Sequence, residues 1–512
     1  MLAKVKSLGL LGIQGYEVSV EADLNNGLPK FDTVGLPDAS IKESKERIKS
    51  AIKNSNLKFP ITKVTVNLAP ADVKKEGPIY DLPIAVALLA CTEEIVCPNL
   101  SEFTFIGELS LDGSIRKING VLPALITARK LGHKKIIIPF ENEKEASFID
   151  GLEVYALKSL KQVVDFLNGK QEFKAVLKQK FEELKNAEFL SNDFCYIKGQ
   201  KQAKRALEIA AAGGHNVLMI GPPGAGKTML ARSVPTIMPD LTFDESLEVT
   251  KIHSIAGTLD NNEGIIWQRP FRSPHHTSTI IALTGGGKNA KPGEISLAHN
   301  GILFLDELPE YNRHTIETLR QPLEDGVITI ARNVATIEYP ASFMLIASMN
   351  PCPCGNYGSK KRECKCTPSA IQKYLGKISG PLLDRIDLHI EVDDISYGDL
   401  SDSEKLEESS AKIKERVNNA RKIQLERYKN SNHFSNSKMT NAEMRKYCKL
   451  DEESEELMQD AFDNLALSAR AYGRILKVAR TIADLEGCDN IELPHLAEAI
   501  GYRSLDKKYQ FR

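Results

Sequence analysis

Eight residues, Gly221-Pro222-Pro223-Gly224-Ala225-Gly226-Lys227-Thr228, fit the pattern G-x-x-x-x-G-K-[ST] and stand between the apolar run HNVLMI and the run TMLARSV. In a strand, loop, helix setting the glycines let backbone N–H groups close around phosphate oxygens. Lys227 is then expected to reach the β- and γ-phosphates, and the Thr228 hydroxyl to coordinate Mg²⁺. Further on, Ile302-Leu-Phe-Leu-Asp306-Glu307 is an apolar run ending in two acids. Asp306 is expected to hold the Mg²⁺ through water and Glu307 to polarise an attacking water, so the predicted chemistry is hydrolysis of ATP. A third apolar run, Phe343 to Met349, ends in Asn350, whose amide suits positioning of that water; a strand cap is its plainer role.

Cys352-x-Cys354, followed after nine residues by Cys364-x-Cys366, offers four thiolates in one short loop, the number a tetrahedral structural Zn²⁺ takes. The C-x-C pairs are tighter than the usual C-x₂₋₄-C, and reduced thiols or a redox pair are the alternatives. Because the loop begins at Asn350, a bound metal would brace that strand end. The other five cysteines are scattered, which favours a reducing compartment over a disulfide framework. Arg385 precedes the run LHIEV, and Arg470 follows Ser468-Ala at the opening of an amphipathic stretch. Read alone, either arginine is a surface charge.

These residues need elements to hold them. Residues 196–395 carry the buried-strand runs HNVLMIG, GILFLDE and ASFMLIASMN between helical segments, the pattern of parallel strands covered on both faces. Before them, residues 1–170 alternate β-rich runs (VTVNLAP, FTFIGEL, KKIIIP) with helical stretches such as Ala39 to Asn54, a mixed α/β domain. Residues 171–195 are Lys/Glu-rich and read as a solvated helix or linker. From 396 to 512 nearly every window reads as helix, Leu465 to Leu485 and Leu493 to Leu505 most clearly. Asp399-Leu-Ser401-Asp-Ser403 matches a metal-dependent adhesion motif but lacks the α/β domain that motif needs, so it reads as a helix N-terminus. With 67 Lys+Arg against 68 Asp+Glu the chain has no global pull on nucleic acid or acidic membranes, so any such contact must be a local patch. The longest apolar run, Ile84 to Cys91, is far below the roughly 20 residues of a bilayer span, and a cytoplasmic location is expected.

Together the phosphate loop, the acidic strand end, RPFRSPHHT (Arg269 to Thr277), PGEISLAHNGILFLDELPE (Pro292 to Glu310) and NPCPCG (Asn350 to Gly355) resemble the ComM/YifB family of magnesium-chelatase-like AAA+ ATPases, over almost the whole chain. The resemblance implies an AAA+ core with a helical lid, Asn350 as sensor 1, Arg470 as sensor 2, and Arg385 as an arginine finger offered to the neighbouring subunit's ATP. It therefore implies a homo-oligomeric ring, usually a hexamer. It also implies an insertion including Ile265 to Gly287 and a hairpin over Gly326 to Glu338, elements that face the pore in related rings. The insertion carries Arg269, Arg272, His275 and His276 with Trp267 and Phe271 interleaved, and the hairpin carries Arg332 near its tip. Cations beside aromatics suit a phosphate backbone and stacked bases; the plainer role is organising the ATP site or subunit contacts.

The first domain resembles the proteolytic domain of Lon through Lys75-Glu-Gly-Pro78 and Gly107 to Gly120. Where Lon carries its serine and lysine this chain has Ile79 and Leu122, so peptide hydrolysis has no chemical route and a scaffold or recognition module is expected. The leading expectation is an ATP-driven ring motor on single-stranded or branched DNA, with branch migration in recombination or natural transformation implied by the resemblance. A chelatase-type remodelling ATPase acting on a protein partner is the rival, and a zinc-stabilised ATPase scaffold a third.

Overall fold

The computed structural model describes residues 1–186, 192–260, 263–287, 290–331, 336–359, 362–394, 407–431, 433–465, 467–505 and 509. They fall into two compact units, Met1–Asn186 with Phe243–Trp267, and Ala187–Thr242 with Gln268–Arg512. Arg332, expected from sequence near a hairpin tip, and the Asp399 to Ser403 motif lie outside the described residues.

In the first unit the strands are β1 (Leu2–Leu11), β2 (Gln14–Asn25), β3 (Lys30–Val34), β4 (Lys63–Ala69), β5 (Phe103–Phe105), β6 (Glu108–Leu109), β7 (Ile115–Arg116), β8 (Lys135–Pro139) and β9 (Glu153–Leu157). Seven of them form one mixed sheet in the order β3-β4-β2-β1-β5-β8-β9, and β6 pairs with β7. The helix Ala39–Asn54 spans the stretch expected from sequence. Asp38 caps it by accepting the Ile41 N–H, and Ile41, Ser44, Ile48, Ala51 and Ile52 form its buried stripe. The helix Asp81–Cys91 is apolar after its first residue and buried, as such a helix must be, and the Asp81 carboxylate is paired with Arg47. The helix Phe243–Ala256, although it lies in the middle of the ATPase sequence, belongs to this unit: Ser254 Oγ donates to Glu145 Oε2 at 2.7 Å and Gly120 N donates to Ser254 O at 3.1 Å. The Lys/Glu-rich stretch 171–195, expected as a helix or linker, holds no α-helix among its described residues; residues 174–180 are irregular, and short 3₁₀ turns follow at Phe181–Asn186 and Phe194–Tyr196.

In the second unit β10 (Val217–Ile220), β11 (Phe271–Arg272), β14 (Ile302–Leu305), β17 (Met344–Met349) and β18 (Leu388–Glu391) build a parallel sheet in the order β11-β14-β17-β10-β18. Its central strands are buried throughout, which is why they read as unbroken apolar runs rather than alternating ones. Between them lie two hairpins, β12 (Gly285–Gly286) with β13 (Lys291–Pro292), and β15 (Val327–Ala331) with β16 (Thr336–Pro340). The second is the hairpin expected before Asn350. After Glu391 the described residues hold helices and no strand: Ser410–Arg427, Asn441–Tyr447, Glu452–Asn464, Ala469–Glu486 and Leu493–Gly501. No helix among the described residues is long and apolar enough to cross a membrane.

Candidate functional site

Parallel strands deliver their carboxyl ends to one edge of the sheet, the edge where α/β folds collect ligands. Ile220 of β10 is in register with Met349 of β17, and Leu305 of β14 with Ala347, so Gly221, Asp306 and Asn350 emerge side by side. Gly221 has no room for a side chain, since a Cβ there would sit 2.2 Å from the Val392 carbonyl oxygen. Gly224 and Gly226 take φ of +83° and +89°, which shapes the loop before the helix Lys227–Ser233.

Lys227 turns back into this loop. Its Nζ donates to Gly221 O at 2.6 Å, Pro222 O at 2.8 Å and Asn350 Oδ1 at 3.2 Å, so an ammonium is held where phosphate oxygens would lie. Burial brings its pKa down to about 8, against the pull of Asp306 and Glu307. Thr228 Oγ1 donates to Asp306 Oδ2 at 2.9 Å, which places the two expected Mg²⁺ groups together. Residues 221–228 with Asp306 thus offer the backbone donors, ammonium, hydroxyl and carboxylate that ATP and Mg²⁺ require.

Glu307 sits just past the strand in the left-handed region (φ 53°, ψ 49°), a conformation that costs a non-glycine residue about 1 kcal/mol or more and needs local support. Its N–H donates to Ser348 Oγ at 3.4 Å, and Ser348 Oγ also hydrogen-bonds Asp306 Oδ1. Ser348 went unremarked in the sequence, although the strand period of two puts it on the same face as Asn350. On its other side Glu307 Oε2 lies 3.6 Å from His276 Nδ1, and His276 stands edge-on to Tyr311, whose hydroxyl donates to Pro274 O at 2.6 Å. His276 therefore meets the acid expected to activate water. His275 packs on His276 and bonds Thr277 Oγ1 at 2.8 Å.

Arg269 and Arg272 are engaged inside the second unit. Arg269 donates to Pro239 O, Asn300 O and Asp240 O, and Arg272 pairs with both oxygens of Glu294 at 2.6 and 2.8 Å. Phe271 stacks on Phe304, and Trp267 packs, in the first unit, against Phe148, Phe181 and Ile265. The cation and aromatic pattern of this stretch is thus spent largely on local structure.

The four cysteines converge. Cys352, Cys354, Cys364 and Cys366 place their sulfurs within 4.8 Å of one another, with three of the separations at 3.4, 3.7 and 3.6 Å. A tetrahedral site with Zn–S of ~2.3 Å has S···S edges of about 3.8 Å, so the spacing fits a Cys₄ zinc site. The N–H of Asn356 and the Cys352 thiol bring Cys354 down to about 6, while Cys364 and Cys366 are pushed up beside it, so the thiols titrate as one cluster in which Cys354 is the first to become a thiolate. Gly355, inside this loop at φ +78°, lies against the phosphate loop, since a Cβ would come within 2.6 Å of Pro223 Cδ.

Arg385 and Arg470 come together elsewhere. Both bond the carboxylate of Glu324, in a cavity that none of the residues 221–228 lines. Arg474 instead ion-pairs with Asp387.

Residues 193–400 match the family described as magnesium chelatase, subunit ChlI, and residues 20–142 and 407–503 match further segments of that subunit. The chain is 45% identical over 512 residues to the competence protein ComM of Haemophilus influenzae, covering 99% of each. The chain belongs to the ComM/YifB family. Uncharacterized YifB proteins of Salmonella typhimurium and Escherichia coli are each 44% identical, over 99% of this chain and 98% of theirs. Membership makes the second unit a magnesium-chelatase-type AAA+ ATPase, and the family implies ATP and Mg²⁺ at the sheet edge just described. This ComM/YifB chain is also 29% identical over 162 residues to Lon protease 2 of Bacillus subtilis, 29% of each chain. Ile79 and Leu122, which the resemblance to Lon sets where that protease carries its serine and lysine, are buried apolar side chains. Gly107 N donates to Ile79 O at 3.0 Å, and Leu122 N to Glu145 Oε2 at 3.3 Å.

Proposed function

We propose that this ATPase is a ring motor, with six subunits the expected number, that moves on single-stranded or branched DNA and drives branch migration. The observation that carries the motor half is the convergence of Lys227, Thr228, Asp306, Glu307 and Asn350 at one sheet edge. Bound Mg²⁺ supplies neutralisation of phosphate charge there. Lys227 orients the terminal phosphates, Thr228 and Asp306 hold the metal, Glu307 takes the proton of the attacking water, and Asn350 aligns that water. Arg385 serves as the finger on the neighbour's ATP, and Arg470, on the same carboxylate, serves the same nucleotide as sensor 2. The four cysteines hold one structural Zn²⁺ that stiffens the loop lying on Pro223.

Support for DNA comes from the full-length likeness to a protein named for competence and from the β15–β16 pair, between whose strands the sequence carries the basic Arg332. His275 remains the exposed member of the insertion set. The test is ATPase rate with and without single-stranded and branched DNA in moderate salt. Stimulation severalfold, with movement of a branched junction, supports the motor; no stimulation from an assembled ring removes it. A second reading, remodelling of a protein partner as in a chelatase, is favoured by the family matches and by the local engagement of Arg269 and Arg272. It predicts stimulation by a protein and none by DNA.

A further inference from the structure

Arg385 is only 6% exposed, yet its guanidinium is incompletely satisfied. One Nη donates to Pro381 O at 2.7 Å, the other to the Glu324 carboxylate, and the buried Nε meets no partner among the described residues. The remaining oxygen of Glu324 accepts from Arg470 Nη2 at 3.0 Å. One carboxylate therefore bridges two arginines brought in by distant parts of the chain, with Glu324 on the helix Arg320–Asp325 and Arg470 in the first turn of Ala469–Glu486. They line a cavity of about 520 Å³ that Arg474, Lys438 and Lys477 also face. The second carboxylate there, Asp387, is already bound to Arg474 and to Asn216 N, so Glu324 is the acid left to answer the other cations. Its side chain is 49% exposed while that of Arg385 is 7%, which makes the carboxylate the member free to leave.

A carboxylate and a terminal phosphate present the same pair of oxygens to a guanidinium fork, and the phosphate carries more charge. Resting on the reading of Arg385 as a finger, we propose that Glu324 is a placeholder for the neighbouring subunit's γ-phosphate. In the separate chain it holds Arg385 and Arg470 in the geometry in which they receive phosphate. When a neighbour docks with ATP, the γ-phosphate displaces the carboxylate. A neighbour holding ADP presents no γ-phosphate, so the arginines stay on Glu324 and the contact is not made. The device makes subunit contact selective for the triphosphate, because only a stronger anion removes the resident one.

The experiment uses the full chain with ATP or ADP, reading assembly by sedimentation and turnover by phosphate release. Glu324→Gln keeps the shape and removes the charge. It is expected to lower the ATP concentration for half-maximal assembly about threefold to tenfold, the range a networked ion pair supports, and to let ADP support assembly that wild type refuses. Glu324→Asp, which keeps the charge but shortens its reach, is expected to fall between the two. Adding Arg385→Ala to Glu324→Gln is expected to abolish the gain. An unchanged or higher ATP requirement in Glu324→Gln, or a gain that survives Arg385→Ala, overturns the proposal. Mixing Arg385→Ala with Lys227→Ala subunits tests the finger itself. Restored turnover there beside an unchanged Glu324→Gln sinks only the placeholder, and absence of rescue at every ratio sinks the finger and the placeholder with it.

Discussion

At the scale of single residues, the ATP site is a set of groups held in one another's place until phosphate arrives. Lys227 spends its ammonium on two carbonyls and on Asn350, and burial lowers its pKa to about 8. Well below pH 8 the free chain already carries the proton; near and above pH 8 a large part of the population is neutral. Phosphate favours the charged form, so ATP binding near pH 8.5 is expected to take up protons at Lys227 that binding near pH 6.5 does not. Calorimetry in two buffers of different ionisation enthalpy reads this directly, and equal uptake at both pH values would count against a lowered Lys227. Glu307→Gln is expected to bind ATP with near wild-type affinity and to lose turnover by about 10²-fold or more, because general base catalysis is removed while Lys227, Thr228 and Asp306 remain. Ser348→Ala removes the hydroxyl between Asp306 and the Glu307 N–H, and a smaller loss in turnover with intact binding is expected.

At the scale of elements, the cysteine loop and the phosphate loop are packed partners. Gly355 and Gly358 share φ +78°, but a Cβ at Gly355 meets Pro223 whereas one at Gly358 meets nothing within 4 Å. Gly355→Ala and Gly358→Ala thus both place a side chain at the same positive φ and differ in the contact it meets. Gly355→Ala is expected to weaken ATP binding about tenfold, the effect of overpacking by one methyl, and Gly358→Ala much less, as read by titration with a fluorescent nucleotide. Equal losses in the two would place the effect in strain, not in the contact. Metal analysis of protein purified without chelators is expected to find about one zinc per chain, lost in Cys352→Ser with Cys364→Ser, with lower melting temperature as the second readout. A metal-free wild type ends the zinc reading.

At the scale of the whole molecule, function is expected to depend on copies meeting. A finger supplied by a neighbour raises turnover about 10³- to 10⁵-fold, so dilution below the assembly threshold is expected to collapse the rate per chain. A rate per chain that holds on dilution into a sedimentation-proven monomer removes the ring from the mechanism. If the ring grips DNA, His275→Ala with Arg332→Ala is expected to weaken single-strand binding and to flatten its salt dependence, since fewer counterions are released, while ATPase without DNA largely persists. Loss of basal ATPase in step with DNA binding would instead tie these residues to the nucleotide site. His276, so near Glu307, belongs outside that pair.

By itself the sequence determined what local pattern can determine. Eight contiguous residues wrote the phosphate loop, and buried parallel strands wrote Val217–Ile220, Ile302–Leu305 and Met344–Met349 as unbroken apolar runs. The helix Ala39–Asn54 and the helical tail followed from the 3.6-residue period. Tertiary structure alone decided what distance along the chain conceals. The helix Phe243–Ala256, flanked in sequence by ATPase elements, packs in the first unit, because its buried Ser254 finds its partner in Glu145, 109 residues away. The basic and aromatic run around Arg269 and Phe271 looked like a surface for phosphate and bases, yet backbone carbonyls, Glu294 and Phe304 take up its groups. Arg385 and Arg470 read as separate surface charges until Glu324, lying on a third element, joined them. A charged side chain does not announce its partner in the sequence, because pairing is set by which elements the fold brings within hydrogen-bond reach.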